Sequence, residues 1–447
     1  MLEKLFHLHV SGTNVKREIV AGCTTFMTLS YIIFVQPTIL GATGMDEGAV
    51  MVATCVSSAL AMVLMALLAN YPIALAPGMG HNVLFAFIVC LPVASGGLGY
   101  SWQEALGAVF VAGVLFIALG FVGLRETVMH SLPVSLRNAI PVGIGLLIAL
   151  VGLEWAGIVV GSPATYVTLG NLGSAPTLLA LFGIAVTSIL FALNVRGAIL
   201  IGIFASTVVG LITGMVEFSG KVVELPPSVA PTFFKLELPN IFAKPELLSV
   251  IFVFIFLDLF DTVGTLVGVS QQAGLMVDGK LPKARQALVS DAIATSTGAL
   301  LGTSTVTSYI ESASGISAGG RTGLTNIVTA VLMLLALFFS PIIEMVGAGH
   351  KVGDITVYPI ISPALIIVGS LMLKNIVHID WDDATEAIPA FLTLLMMPLT
   401  FSITDGIAFG FISYALLKLV SGQGKQVHWL IYLFAVLFVV RYIWLPR

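Results

Sequence analysis

The sequence predicts an all-α polytopic membrane protein, and three observations support this fold class. Of the 447 residues, 58% are apolar and 9% are charged, and the mean hydropathy is +1.06; a soluble domain is far less apolar. Apolar runs of about 20 residues, the length that crosses a bilayer, recur along the whole chain. Residues 302–323, GTSTVTSYIESASGISAGGRTG, interrupt these runs with Gly, Ser, Thr and one acid, which predicts a broken span.

The apolar runs predict fourteen transmembrane segments, called spans 1 to 14 in chain order. Spans 1 to 7 lie near residues 18–40, 47–69, 74–92, 103–124, 138–156, 176–194 and 198–217. Spans 8 to 14 lie near residues 247–270, 286–302, 305–320, 322–347, 357–376, 386–402 and 403–421. A fifteenth apolar run, 427–442, either crosses the membrane or lies against its surface.

The loop charges predict the orientation, because Lys and Arg collect on the cytoplasmic side of membrane proteins. If the N-terminus is inside and the spans alternate, the inside residues are Lys4, Lys16, Arg17, Arg125, Arg137, Arg196, Lys280, Lys283, Arg285, Arg321, Lys374, Lys418 and Lys425. The outside residues are then Lys221, Lys235, Lys244 and Lys351. This bias predicts a multi-pass protein of the cell inner (plasma) membrane with a cytoplasmic N-terminus.

The two groups of seven spans predict an inverted repeat, because an odd number of spans makes the second group enter the membrane upside down. Span 3 carries the interruption ALAPGMGHN at 74–82, and span 10 carries ESASGISAGG at 311–320. Breaks at matching positions predict one binding site between spans 3 and 10. Close helix packing is the alternative reason for the glycines, and it suits Gly120 and Gly143 better than residues 77–80.

The interruption of span 10 is expected to place Glu311 at the start of a short helix. Residues 303–307 favour extended backbone through their β-branched side chains, and residues 309–319 allow only a short helix. Glu311 falls near the start of that helix, where free N–H groups face a cavity. An acid at the centre of a span costs about 2.5–3.5 kcal/mol on insertion scales, so we expect Glu311 to bind substrate. The alternative is a structural acid bonded to neighbouring hydroxyls.

Span 8 carries two further acids in the stretch FVFIFLDLFDTVGTLVGVSQQ. Asp258 and Asp261 are three residues apart and share one helix face, with Thr262 and Thr265 beside it. Two ionised acids on one face repel each other, so one of them is expected to hold a proton or to pair with another helix. Together with Glu311 they predict proton coupling. The alternative is that one acid bonds the broken backbone.

Several function classes are excluded by what the sequence lacks. Cys23, Cys55 and Cys90 all lie in apolar runs, and we interpret them as small hydrophobic residues and not as disulfide partners or metal ligands. No motif calls for a metal or another cofactor, and no basic stripe predicts a nucleic-acid partner. The chain has no HExxH, a motif of metalloproteases, and its match to the serine-hydrolase motif GxSxG, GISAG at residues 315–319, lies within the broken span 10 and not in an aqueous catalytic domain. We therefore expect a transporter and no enzyme.

Four stretches together resemble a known family. AGCTTFMTLSYIIFVQP in span 1, ALAPGMGHN in span 3, FDTVGTLVGV in span 8 and TSYIESASGISAGGRTGLT in span 10 resemble the AzgA-like purine branch of the nucleobase:cation symporters, in the xanthine/uracil permease superfamily. The resemblance covers nearly the whole chain. It implies a UraA-like 7+7 inverted repeat of fourteen transmembrane segments with broken spans 3 and 10.

The resemblance also implies two domains. Spans 1–4 and 8–11 would form a core that holds the substrate, and spans 5–7 and 12–14 would form a gate that faces it. The expected divisions are core 1–124, gate 125–217, an extracytoplasmic connection 218–246, core 247–348, gate 349–421 and a C-terminal apolar segment 422–447. In the gate, Pro141, Pro359 and Pro363 are expected either to bend helices or to start them.

Carried over position by position, the resemblance implies that Asp261 and Glu311 are the substrate-binding acids. Asp258 and Asn82 match further polar positions of the purine branch. Ser312 and Thr262, next to the two binding acids in the sequence, complete the expected substrate-binding set.

Three positions depart from the family patterns. The uracil branch looks to have Glu where this chain has Asp261 and a His where this chain has Thr265, so its proton route does not carry over. The purine branch usually has an apolar residue where this chain has His81. The sequence leaves open whether His81 contacts substrate, senses pH or packs beside the broken span.

The function expected from these residues is proton-coupled symport of purine nucleobases, adenine, guanine or hypoxanthine, into the cell by alternating access. A carboxylate accepts two parallel N–H bonds, and purine edges offer such donors. The alternative is another small solute on the same fold, either uracil or xanthine or an anion such as sulfate or bicarbonate. The expected partners are the base, the proton, the lipid bilayer and a second copy of the chain in a homodimer. The preferred purine and the choice between proton and sodium stay open.

Overall fold

The computed structural model describes residues 2–95, 97–122, 133–218, 220–239, 244–276, 281–353 and 355–444. Within these ranges eight helices are long and apolar enough to cross a membrane, and they correspond to spans 1, 2, 4, 5, 6, 8, 11 and 14. The chain is therefore a multi-pass membrane protein. Arg125, Lys280 and the expected core-to-gate boundary at 124/125 lie outside the described residues.

The first seven spans form helices close to the predicted runs. The bounds are Val15–Leu29 with Ile32–Gly41 for span 1, Glu47–Leu64 with a π-helical end Met65–Ala69 for span 2, strand Leu75–Pro77 with helical pieces Met79–Val83 and Leu84–Val89 for span 3, Trp102–Val122 for span 4, Val134–Trp155 for span 5, Ala175–Ala192 for span 6 and Ala198–Ile212 for span 7. A short helix, Leu2–Phe6, precedes them.

The second seven follow the same pattern. The bounds are Pro245–Gln272 for span 8, Ala284–Leu301 for span 9, strand Val306–Ser308 with helix Ser312–Ser317 for span 10, Gly323–Ala336 with Ser340–Gly347 for span 11, Ser362–Met372 with the 3₁₀ turns Leu373–His378 for span 12, Ala384–Thr400 for span 13 and Ile403–Val420 for span 14. Two hairpins, Val159–Ser162 with Tyr166–Leu169 and His350–Val352 with Ile355–Val357, lie in the loops after span 5 and before span 12.

Short polar side chains start many of these helices, as N-caps do. Asn14 accepts a hydrogen bond from the backbone N–H of Arg17 at 3.0 Å, and Asp46 accepts one from Ala49 at 2.7 Å. The same kind of cap starts spans 6, 13 and 14, at Ser174, Asp383 and Ser402. The polar residues between the apolar runs therefore set where these spans begin.

Two spans that read as single runs in the sequence are interrupted in the structure. Span 1 turns at Ser30 and Tyr31, where the next backbone N–H groups bond three residues back. Span 11 contains a 3₁₀ turn at Leu337–Phe339, because Pro341 has no N–H to offer the carbonyl of residue 337. The turn in span 1 brings the Tyr31 hydroxyl to span 10.

The three prolines of the expected gate have different roles. Pro141 lies inside the helix of span 5, where it is a candidate for a bend. Pro363 lies in the first turn of span 12 and starts that helix, which was the alternative for it. Pro359 precedes the same helix.

The interruptions of spans 3 and 10 meet at the centre of the bundle. Their extended pieces pair antiparallel, with Leu75 opposite Ser308 and Pro77 opposite Val306. Backbone bonds from Gly78 to residue 305 and from residue 309 to residue 74, both 2.9 Å, continue the pairing at its two ends. All six strand residues are buried. Non-helical backbone is stable at membrane depth when its polar groups are satisfied within the protein, as they are here.

The helices pack in two groups that alternate along the chain. In one group, spans 1 and 2 contact span 11, spans 2 and 4 contact span 9, and span 4 also contacts span 8. In the other, span 5 packs on spans 12, 13 and 14, span 6 packs on spans 7 and 12, and span 13 packs on span 14. Span 5 also touches spans 3 and 8, so the two groups meet beside the paired strands.

The fifteenth apolar run forms the helix Trp429–Trp444 and packs against the protein. The Phe434 ring lies 5.8 Å from the Phe252 ring and 5.4 Å from the Phe256 ring of span 8, centre to centre. It also lies 5.9 Å from the Phe411 ring of span 14. This helix therefore contacts one span from each of the two groups.

Glu18 of span 1 forms hydrogen bonds that connect the two halves of the chain. It was not predicted from the sequence. It is fully buried. Its carboxylate accepts hydrogen bonds from the backbone N–H groups of Arg321 (2.9 Å), Thr322 (3.4 Å) and Thr325 (3.1 Å), and from the Thr325 hydroxyl (2.6 Å). These N–H groups lie at or just before the start of span 11, where a helix leaves its first N–H groups without acceptors four residues back. An acid of the first half thus caps a helix of the second.

We expect Glu18→Ala to destabilise the folded protein, because it removes the acceptor for buried donors. The loss should be about 1.5–3 kcal/mol, the usual value for hydrogen bonds to a charged group. Thermal unfolding of the detergent-purified protein measures it as a lower melting temperature. Glu217→Ala, which removes an exposed acid just before the connection, is the control and should melt like the parent. Equal melting of the two variants would contradict this role of Glu18.

Candidate binding site between the broken spans

A cavity of about 530 Å³ lies between the paired strands and spans 5 and 12. Its walls, among the described residues, are formed by Tyr31, Gly78, Met79, Gly80, Val134, Arg137, Asn138, Pro141, Ile144, Ile148, Asp261, Gly264, Thr265, Gly268, Thr307, Ser308, Tyr309, Ile310, Glu311, Val368, Met372, Asn375 and His378. Tyr31 and Thr307 at one end are buried, whereas Val134 and His378 at the other end are exposed. The cavity therefore leads from the centre of the bundle to one surface.

Glu311 and Asp261, the two acids predicted to bind substrate, both line this cavity. Glu311 immediately precedes the short helix of span 10, as the sequence predicted. Its carboxylate accepts a hydrogen bond of 2.9 Å from the hydroxyl of Tyr31. Tyr31 is buried and was missed in the sequence, where it reads as one more apolar residue of span 1. The bond fixes one oxygen of Glu311 and leaves acceptor capacity on the carboxylate for a ligand.

Thr262 of span 8 contacts spans 9 and 10 behind the cavity wall. Its hydroxyl lies 2.7 Å from the Thr307 hydroxyl, 3.0 Å from a carboxylate oxygen of Asp291 and 3.3 Å from one of Asp258. All four residues are buried. Asp291, in span 9, was missed in the sequence, although an acid within a predicted span could have marked it. Thr262 and Asp258 therefore support the wall of the site and do not form its surface.

Asn82 and Ser312, two other predicted site residues, are also buried behind the wall. The Ser304 hydroxyl donates to the side-chain oxygen of Asn82. The Ser312 hydroxyl donates to the carbonyl of Tyr309 (2.6 Å) and accepts from the backbone N–H of Ala74 (2.9 Å). These bonds tie each interruption to its partner. The structure thus brings Asp261 and Glu311 to the cavity and gives Asn82 and Ser312 contacts that hold the paired strands.

His81 lies between the two acids of span 8. Its Nδ1 is 4.0 Å from Asp261 Oδ2 and its Nε2 is 4.0 Å from Asp258 Oδ1. The ring is parallel to that of Phe254, 6.5 Å away between centres. A Cβ on Gly78 would lie 2.5 Å from His81 Nδ1, so only glycine fits at residue 78 beside this ring.

The chemistry of the cavity suits a small, uncharged ligand that donates hydrogen bonds. Its deep end presents two carboxyl groups and the hydroxyls of Thr265, Ser308 and Tyr31. The one arginine among its described lining residues, Arg137, lies toward the exposed end beside Val134. Binding pockets of a few hundred Å³ hold molecules of drug size or smaller, so a single planar heterocycle fits here with room for water.

Apolar helices around a buried, acid-lined cavity define a membrane transport protein. The permease family matches residues 16–409, and the chain belongs to this family. Within it, the relatives place the chain in the AzgA-like purine branch of the xanthine/uracil permease superfamily, as the four sequence stretches predicted.

The relatives match over almost their whole length. A chain of Methanocaldococcus jannaschii that carries a permease name is 52% identical over 99% of this chain and 98% of its own. A guanine/hypoxanthine permease of Bacillus subtilis is 45% identical over 99% of this chain and 100% of its own. An adenine permease of Escherichia coli (strain K12) is 42% identical over 100% of this chain and 96% of its own.

A solved structure gives the same fold. The transmembrane domain of a cyanobacterium bicarbonate transporter superposes with a TM-score of 0.62 over 90% of this chain and 97% of that chain, at 17% identity. The predicted fold class is confirmed by this likeness: the chain is an all-α membrane protein of UraA-like architecture, and its helices are consistent with the fourteen-segment inverted repeat.

Proposed function

We propose that this permease carries purine nucleobases into the cell together with protons by alternating access. The observation that carries the proposal is the cavity with Asp261 and Glu311 at its buried end. A carboxylate pairs with the N–H edge of adenine, guanine or hypoxanthine through short, directional bonds. Relatives named as adenine and guanine/hypoxanthine permeases support the same substrate class.

Proton coupling follows from the same two acids. A neutral base needs no counter-ion, yet two ionised carboxylates at the end of one buried cavity repel each other and are poorly solvated. A proton taken up with the base removes one of these charges. Asp258 and Asp291, joined through Thr262, offer a second pair of acids behind the wall.

The two packing groups support a division into a moving core and a gate. The paired strands and the acids Asp258, Asp261 and Glu311 belong to spans 3, 8 and 10, whereas spans 5 and 12 only cover the cavity. Moving the first group past the second would carry the base from one side to the other. With a cytoplasmic N-terminus in the plasma membrane, Arg137 and the exposed end of the cavity face inward.

An anion transporter is the second candidate, because the solved structure of the same fold is titled a bicarbonate transporter. The buried end of the cavity argues against it here. Two carboxylates without a nearby cation among the described lining residues would repel sulfate or bicarbonate.

We expect Glu311→Gln and Asp261→Asn to lower purine accumulation about tenfold to a hundredfold, since a hydrogen bond to a charged group is worth about 1.5–3 kcal/mol. Uptake of labelled adenine, guanine and hypoxanthine into proteoliposomes with an inward proton gradient measures the loss. Asp382→Asn, which changes an exposed acid before span 13, is the control and should accumulate normally. Normal accumulation by either site variant would remove that acid from the proposed site.

Competition should reveal the substrate class. Unlabelled adenine, guanine or hypoxanthine should reduce uptake of a labelled purine, because each presents a planar N–H edge. Sulfate and bicarbonate should have no effect, because the acids exclude anions. Transport that sulfate inhibits and that no purine inhibits would place the protein in the anion class. Uracil and xanthine belong in the same panel as tests of selectivity.

Cross-linking should separate binding from transport. Phe256 of span 8 and Phe411 of span 14 touch edge to face with ring centres 5.4 Å apart, one residue from each packing group. After replacement of the three native cysteines, cysteines at these two positions joined by a short bifunctional thiol reagent should stop uptake. The locked protein should still bind one purine, because the cavity lies elsewhere.

The control for cross-linking is a pair within the gate. A Cβ on Gly410 would lie 3.4 Å from Cβ of Thr393, so cysteines at residues 410 and 393 can join spans 13 and 14 within one group. This pair should leave transport intact after oxidation. Continued transport with residues 256 and 411 joined would contradict movement of the core past the gate.

A further inference from the structure

His81 is a buried polar side chain that the proposed binding site leaves without a role. Its side chain has 0% exposure, and neither ring nitrogen has a hydrogen-bond partner among the residues that the structure describes. A buried polar group without a partner costs about 1–3 kcal/mol. We propose that His81 carries the coupling proton between Asp261, on the cavity, and Asp258, behind it. This inference rests on the proposed proton coupling.

The geometry fits a relay because the two ring nitrogens point to different acids. Both gaps are 4.0 Å, about 1 Å longer than a hydrogen bond between nitrogen and oxygen. A small rotation of the Asp261 carboxyl group would therefore close the gap to Nδ1, and a small rotation of the Asp258 carboxyl group would close the gap to Nε2. A small shift of span 3 against span 8 would also close one of the two gaps. Imidazole is the one side chain that can accept a proton at one nitrogen and release another from the second.

The ring cannot leave this position easily. Phe254 lies parallel to it on span 8, and the absence of a side chain at Gly78 leaves room for the ring beside Thr307. His81 itself belongs to the helical turn Met79–Val83 that follows the paired strand. The imidazole is therefore held between the two acids by span 3, span 8 and span 10 together.

The two acids differ in their access to water, which gives the relay a direction. The side chain of Asp261 is 20% exposed and lines the cavity, whereas that of Asp258 is 3% exposed. Asp258 continues through the Thr262 hydroxyl to Asp291 of span 9. A proton that enters from the cavity at Asp261 would thus pass through His81 to an acid sealed from solvent.

The transfer balances without any further reactant. The carboxylic acid of Asp261 gives its proton to Nδ1 of the neutral ring, and Nε2–H gives its proton to the carboxylate of Asp258. One O–H bond and one N–H bond break, and one of each forms. The net change is one proton moved from Asp261 to Asp258, with His81 still neutral in its other tautomer. Transfer in the opposite direction restores the first tautomer.

Other titratable groups surround this path and will contribute to any pH dependence. Glu311 of span 10 lines the same cavity as Asp261 and accepts from Tyr31 of span 1. The Tyr309 hydroxyl of span 10 donates to the carbonyl of Pro77. Asp291 faces the path from span 9 through Thr262.

The first test compares two kinds of transport in His81→Gln and His81→Leu. Accumulation of adenine, guanine or hypoxanthine against a gradient requires proton transfer, whereas exchange of labelled for unlabelled base across the membrane requires no net proton movement. We expect accumulation to fall at least tenfold more than exchange. Unchanged accumulation, or an equal loss of both, would overturn the relay. His350→Gln is the control, because this histidine lies on the hairpin before span 12.

A second test does not depend on transport or on the His81 variants folding. Nitrogen NMR of histidine-labelled protein reports which ring nitrogen carries the proton, and the chain has seven histidines. Asp258→Asn should lower the Nε2–H tautomer of His81, and Asp261→Asn should lower the Nδ1–H tautomer, because each replaces the carboxylate that faces that nitrogen with a neutral amide, which attracts an N–H less strongly. A tautomer ratio of His81 that is unchanged in both variants would overturn the proposal.

The two proposals fail in different ways. If the parent protein takes up none of the purines, the proposed function fails, and the tautomer measurement still decides whether His81 exchanges protons with the two acids. If purine accumulation is normal and independent of His81, the function stands and the relay fails.

Discussion

The antiparallel pairing of residues 75–77 with residues 306–308 is the constraint on which the rest of the site depends. Two interrupted spans leave backbone N–H and C=O groups without helical partners at membrane depth, and each such group costs several kcal/mol if it stays unpaired. The two interruptions supply hydrogen-bond partners to each other through the strand pairing. Glycine at residue 78 and hydroxyls at Ser304 and Ser312 complete this exchange.

The paired strands also determine where the polar groups of the site lie. Glu311 follows one strand and His81 follows the other, while span 8 runs past both with Asp258 and Asp261. The acids therefore belong to the same packing group of spans as the strands. Among the described lining residues, the covering helices contribute apolar side chains together with Arg137, Asn138, Asn375 and His378, and no acid. This unequal distribution of charge is why the proposed binding and coupling steps concern one group of spans and the proposed movement concerns both.

The sequence predicted those features that depend on local composition. The length of the apolar runs predicted the spans, and Pro and Gly predicted the interruptions. Glu311 and Asp261 were singled out because each is an acid inside a predicted span. It could not predict features that depend on which residues meet in space. From sequence, Tyr31 is one more residue of an apolar helix, and the structure shows its hydroxyl bonded to Glu311. From sequence, Glu18 is an acid at the very start of span 1, and the structure shows it bonded to span 11. Asn82 and Ser312 were assigned to substrate from sequence, and the structure gives both of them bonds to the opposite interruption.

The most direct test of this account is a cryo-EM structure of the protein with adenine, guanine or hypoxanthine bound. We predict one planar base at the buried end of the cavity, with its N–H edge about 3 Å from the carboxylates of Asp261 and Glu311 and with the strands at 75–77 and 306–308 still paired. A base bound elsewhere, or bound only after the two strands have separated, would contradict it.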